Sequence, residues 1–144
     1  MNSKYSLLLK ILDDIRESAP KDLFDLYNPS SNNEEPLIEA RSRALLHLYL
    51  MVECGIDEED FKARERLICD GTQDGGLDAY FIDIEQERIL LIQSKFQATA
   101  KNFVTVAIKA DVLVKTEFDR ITQGHKTDSK GQKFNSRVVS GCTT

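Results

Sequence analysis

The sequence predicts an α/β domain, and three observations carry that expectation. Residues 4–18 and 36–54 repeat their apolar side chains at helical spacing. Residues 78–84 and 89–96 are instead short runs rich in β-branched and aromatic residues, divided by the polar Glu85-Gln86-Glu87-Arg88. A chain of 144 residues, 41% of them hydrophobic and with only seven Gly and three Pro, is long enough to bury one ordinary globular core.

In the first element, KYSLLLKILDDIRES, apolar residues fall at 5, 8, 9, 12 and 15, which predicts an amphipathic helix that Pro20 ends. Residues 19–36 are turn-rich around Asn28-Pro29-Ser30-Ser31-Asn32-Asn33 and read as a connector. Asn33, Glu34 and Glu35 suit the cap and the positive end of a dipole, so a second helix begins near Pro36 and closes at Gly55. On that helix Glu39 shares a phase with Leu46 and Leu50, which sets its carboxylate on or beside an apolar stripe. A carboxylate there is paired, protonated or metal-bound, and Arg43 four positions on is the simplest partner. His47, within LLHLYL, reads as a packed helix residue, and His125 as a loop residue.

The two apolar runs predict an antiparallel hairpin. A connection centred on 86/87 sets Ile84 opposite Ile89, Ile82 opposite Leu91, Tyr80 opposite Gln93 and Asp78 opposite Lys95. Alternation then brings Asp78, Gln93 and Lys95 to one face, with opposed Cβ atoms about 4.5–5.5 Å apart. Beyond the hairpin, residues 99–120 are expected to form a helix and 136–141 a strand.

Charge is distributed unevenly. Residues 1–94 carry 10 Lys+Arg against 20 Asp+Glu, whereas residues 95–144 carry 9 against 4. The excess of cations points to an anionic partner, with Lys101, Lys109, Lys115, Arg120, Lys126, Lys130, Lys133 and Arg137 as its contacts. Cys54, Cys69 and Cys142 lack the Cys-x-x-Cys spacing of a zinc site and read as reduced thiols. No apolar run approaches the roughly 20 residues of a membrane span. Met1-Asn2-Ser3-Lys4-Tyr5 lacks the basic start of a secretory signal, so a cytoplasmic location without membrane association is expected.

The polar cluster has a definite chemistry. The oxygens of Asp78, Gln93 and Glu39 are hard donors suited to Mg²⁺ or Mn²⁺, and Lys95 supplies a positive charge for a developing phosphoryl anion. Gly75 and Gly76, just before Asp78, let the backbone approach a ligand closely.

In that order, Glu39 in a helix, Asp74-Gly75-Gly76-Leu77-Asp78, then Gln93-Ser94-Lys95, the chain resembles the PD-(D/E)XK nuclease superfamily in its Gln-x-Lys form. It is most similar to Mrr-type restriction endonucleases and to the N-terminal nuclease domain of abortive-infection phage-resistance (AIPR) proteins. The likeness is densest over 36–96. It implies a restriction-endonuclease-like mixed β-sheet flanked by helices, with residues 1–35 an N-terminal helix and connector and 36–144 the core. That core ends before the family's last helix, as the N-terminal part of a longer protein would.

The resemblance also implies a Mg²⁺-dependent endonuclease hydrolysing DNA phosphodiester bonds in defence against phage or foreign DNA; nothing in the residues separates DNA from RNA. Asp78, Glu39 and Gln93 would hold the metal and Lys95 would be the catalytic lysine. Asp74 is either an outer partner of those ligands or a turn residue. A homodimer would cover an exposed sheet edge. The competing reading is a non-catalytic nucleic-acid-binding or oligomerisation module that keeps the nuclease fold. In a third, Glu39–Arg43 and Asp78–Lys95 are ordinary ion pairs of a structural domain.

Overall fold

The computed structural model describes residues 3–69, 77–96, 98–99, 101, 126–127, 130–133 and 135. Within them lie four helices, α1 Ser3–Glu17, α2 Phe24–Tyr27, α3 Glu34–Val52 and α4 Phe61–Glu65, and two strands, β1 Ala79–Asp83 and β2 Arg88–Ile92. The chain is therefore α/β. It divides into two compact units, residues 1–64 with 94–107 and residues 65–93 with 108–144. The helix expected over 99–120, the strand over 136–141, Cys142, His125 and the Asp74-Gly75-Gly76 turn lie outside the described residues.

The first unit is helical. α1 buries Tyr5, Leu12 and Ile15, three of the five positions that its periodicity singled out. Leu12, Ile15 and Ala19 pack with Tyr27, Ala44 and Phe61, and Leu8, Ile11, Met51 and Phe96 close over them. The connector contains a short helix, α2, held to the end of α1 by polar groups. Arg16 Nε donates to Tyr27 O at 2.7 Å, and Asn28 Nδ2 donates back to Arg16 O at 2.8 Å. α3 begins two residues earlier than expected, with Asn33 in the extended N-cap conformation (φ −73°, ψ 142°). Its end turns through Gly55 at φ +68°, a left-handed conformation suited to glycine, and Ile56 N–H returns to Leu50 O at 3.1 Å.

Asp13 ties α1 to α3. Its carboxylate accepts from Arg41 Nε at 3.0 Å and Nη2 at 2.9 Å, and Arg16 Nη1 donates to the same group. Burial alone would raise the Asp13 carboxyl, but the hydrogen bonds from Arg41 and Arg16 outweigh it and hold Asp13 below the usual carboxylate range. A depressed folded-state value means that the stabilisation is fully present above the unfolded pKa near 3.8 and is lost as pH falls through the lower folded value. Asp13→Asn is expected to lower stability at neutral pH by about 1–3 kcal/mol. Urea unfolding of parent and variant should show that gap closing as the pH is taken well below 3.8. A gap unchanged by acid would place the effect elsewhere.

The second unit is built on the β1–β2 hairpin. The register pairs Ala79 with Ile92, Tyr80 with Leu91, Phe81 with Leu90, Ile82 with Ile89 and Asp83 with Arg88. It differs by two residues from the register expected from a turn centred on 86/87. Asp83 explains the shift. Its carboxylate takes Arg88 Nε at 3.1 Å and Gln86 N–H at 3.1 Å, closing a four-residue loop over 84–87 with Glu87 at φ 51°. Ile84 consequently leaves the strand and is 84% exposed. On the other side of β1, Ile68 forms an antiparallel bridge with Ala79. Ile68, Cys69, Leu77, Ala79 and Ile92 make this unit's buried apolar centre.

Candidate functional site

Asp78 stands where β1 begins, and its backbone is not that of a regular strand. Its N–H donates to Ile92 O on β2 at 2.9 Å, while its C=O accepts from Cys69 N–H at 2.7 Å on the opposite side. In a regular strand both groups of one residue turn to the same neighbour. Asp78 and Ala79 thus both stand against Ile92, the two-against-one arrangement of a β-bulge, which re-aims a side chain and is common beside functional sites. Alternation along β1 therefore stops at Ala79 and does not assign the face of Asp78.

Gln93 follows Ile92 directly, so a half-buried carboxylate and a half-buried amide flank the bulged end of the hairpin. Both present hard oxygen donors, and that donor chemistry fits a divalent cation such as Mg²⁺ or Mn²⁺. Among the described residues no group of three or more His, Cys, Asp or Glu gathers, so a metal here would rely on this mixed carboxylate and amide set.

The register shift corrects one expectation. Asp78 is not the cross-strand partner of Lys95: the paired register ends at Ile92, and Lys95 lies three residues beyond the end of β2. Lys95 is exposed and, with Glu39, belongs to the first unit; Asp78 and Gln93 belong to the second. Glu39 is exposed, at the edge of the apolar stripe beside the buried Ala40. α3 buries Ala40 and Ala44 in its first half and Leu46, His47 and Leu50 in its second, so the stripe narrows to the Ala40 side where Glu39 stands. Asp74 and Lys109 lie outside the described residues.

Cations gather on a turn of the second unit. Thr127 and Lys133 form an antiparallel bridge, Gly131 turns the chain at φ +81°, and Lys126, Lys130 and Lys133 are exposed. Two residues on, Asn135 Nδ2 donates to Cys69 O at 2.7 Å. Since Cys69 N–H binds Asp78 O, one short path of hydrogen bonds links the lysine turn to the bulge. Lys101, in the first unit, is likewise exposed.

The sequence pattern assigns nothing to residues 56–68, and these hold part of a buried polar network. Asp60 Oδ1 accepts Ala63 N–H at 3.2 Å at the start of α4, the capping signal that could have revealed this helix. From α4, Arg64 Nε donates to His47 Nδ1 at 2.9 Å, and Tyr27 Oη meets His47 Nε2 at 2.8 Å. His47 stacks on Phe61 with centroids 4.1 Å apart, which agrees with its reading as a packed residue. Cys54 and Cys69 are thiols rather than disulfide halves, and among the described residues no helix is long and apolar enough to cross a membrane.

Comparison of the chain with protein-family models, with curated proteins and with solved structures gives no match in any of the three.

Proposed function

We propose that the chain is a metal-dependent endonuclease of restriction-endonuclease-like fold that hydrolyses DNA phosphodiester bonds, acting in defence against phage or foreign DNA. The observation that carries this reading is the β-bulge at Asp78, flanked by Gln93 at the end of β2, in a chain ordered as helix Glu39, Asp78, Gln93, Lys95. Asp78, Gln93 and Glu39 would hold Mg²⁺ or Mn²⁺, which when bound supplies Lewis-acid polarisation of the phosphoryl oxygens. Gln93 contributes no charge, so the protein's own cation matters more. The Lys95 ammonium orients the attacking water and stabilises the negative charge that develops on phosphorus-bound oxygens. Lys126, Lys130 and Lys133 follow the phosphate backbone, which makes affinity fall as salt rises.

Lys95→Ala tests the catalytic assignment. Nicking of supercoiled plasmid in Mg²⁺ is expected to fall at least about a hundredfold, while DNA affinity measured without metal changes by less than about threefold. Parallel loss of binding would make Lys95 a backbone contact only. A parent protein that binds DNA and never nicks it would be the non-catalytic binding module.

A further inference from the structure

A cavity of about 160 Å³ opens within the first unit, walled by Ile11, Ile15 and Met51, with Asp14, Glu58 and Arg64 also lining it. Arg64 is only 1% exposed, whereas Asp14 and Glu58 are exposed and form the rim. The guanidinium is partly committed. Nε donates to His47 Nδ1 at 2.9 Å, and Nη1 donates to the carbonyls of Asp57 and Glu58. Nη2 has no acceptor among the described residues, so with Arg64 lining the cavity it is the guanidinium nitrogen left for a molecule bound there.

Such a donor calls for a carboxylate oxygen. Asp14 is paired with Lys10 Nζ at 2.9 Å through one carboxylate oxygen, so Glu58 and the second oxygen of Asp14 set the charge at the entrance, and a simple anion is a poor occupant there. A molecule carrying both a carboxylate and an ammonium satisfies both ends. The cavity is close to the engineered apolar cavity of about 150 Å³ that holds benzene, so a body of four or five carbons fits against Ile11, Ile15 and Met51. We propose that this cavity is a binding site for a small zwitterion, a free amino acid with a short branched apolar side chain. Its carboxylate meets Arg64 Nη2, its ammonium faces Asp14 and Glu58, and its side chain lies on the apolar wall. Because Nε and Nη1 are occupied, the carboxylate contact is to one nitrogen only, and affinity is modest.

The test is titration of L-valine into the full chain labelled at its Ile and Met methyl groups. The Ile11, Ile15 and Met51 signals are expected to move along one saturable isotherm, with a Kd on the order of 1 mM. Two truncated probes separate the contacts. 3-Methylbutanoate lacks the ammonium and 2-methylpropylamine lacks the carboxylate, and each is expected to bind at least about tenfold more weakly. The double variant Asp14→Asn/Glu58→Gln changes only exposed side chains, so it should fold. It is expected to lose about tenfold in L-valine affinity and most of its preference over 3-methylbutanoate. Methyl signals that do not respond to L-valine would overturn the proposal. So would an equal response to 3-methylbutanoate, or a double variant that binds L-valine as the parent does.

Discussion

Asparagine in place of Asp78 is expected to abolish divalent-cation binding and plasmid nicking together while leaving the fold intact. Asparagine has the same shape as aspartate, and the two bonds that build the bulge, Asp78 N–H to Ile92 O and Cys69 N–H to Asp78 O, are backbone bonds that the change does not touch. What it removes is a negative charge, and a hard cation already facing the neutral Gln93 cannot spare it. Nicking is expected to fall by at least about a hundredfold, and heat of Mn²⁺ binding to vanish, with the thermal midpoint nearly unchanged. Cation binding without nicking in the parent protein would favour the binding module over the enzyme. If the parent neither binds Mn²⁺ nor nicks, or if Asp78→Asn does both as well as the parent, the nuclease reading fails.

Legibility followed the range of the forces. α1 and α3 were readable because a long amphipathic repeat states the buried face several times over, and both fall within two residues of their expected limits. The hairpin was readable as a hairpin, but not its register. That depends on whether the Asp83 carboxylate captures Arg88 and the Gln86 N–H, a single local contest that a polar tetrapeptide does not advertise. The bulge was invisible, since it arises from how Ile92 and Cys69 divide the backbone N–H and C=O of Asp78 between them, and side-chain alternation carries no record of that. For Glu39 the phase leaves open whether the carboxylate lies on the stripe or beside it, and it lies beside it. Phase on a helix gives direction, not depth, and toward the N-terminus of α3 the core recedes behind Ala40 and Ala44. Short α4 offered too few turns for periodicity, so Arg64 went unread although its partner His47 was noticed.

That pair carries the largest stability effect to be expected of the chain. Arginine only donates, so its bond to His47 Nδ1 assigns that nitrogen as the acceptor and leaves the ring proton on Nε2, which donates to Tyr27 Oη. The ring is thereby held neutral, because a proton on Nδ1 would set two N–H donors face to face. Burial pushes the Arg64 guanidinium below the usual arginine range, against the raising fields of Asp60, Tyr27, Glu58 and Asp57, and it remains charged at neutral pH. Arg64→Met preserves much of the volume but strands His47 Nδ1 and removes the donor to the carbonyls of Asp57 and Glu58. The unsatisfied His47 Nδ1 is buried whereas the two carbonyls belong to exposed residues, and a loss of about 2–4 kcal/mol is expected, a large part of the 5–15 kcal/mol of a typical domain. Tyr27→Phe removes one neutral hydrogen bond and should cost only about 1–2 kcal/mol. Because both contacts meet on one imidazole, the double variant is expected to lose less than the two single losses together. Urea unfolding of the four proteins measures this directly. An Arg64→Met cost below about 1 kcal/mol would mean that the buried guanidinium does not hold α4 to α3, and additive losses would mean that His47 does not couple its two partners.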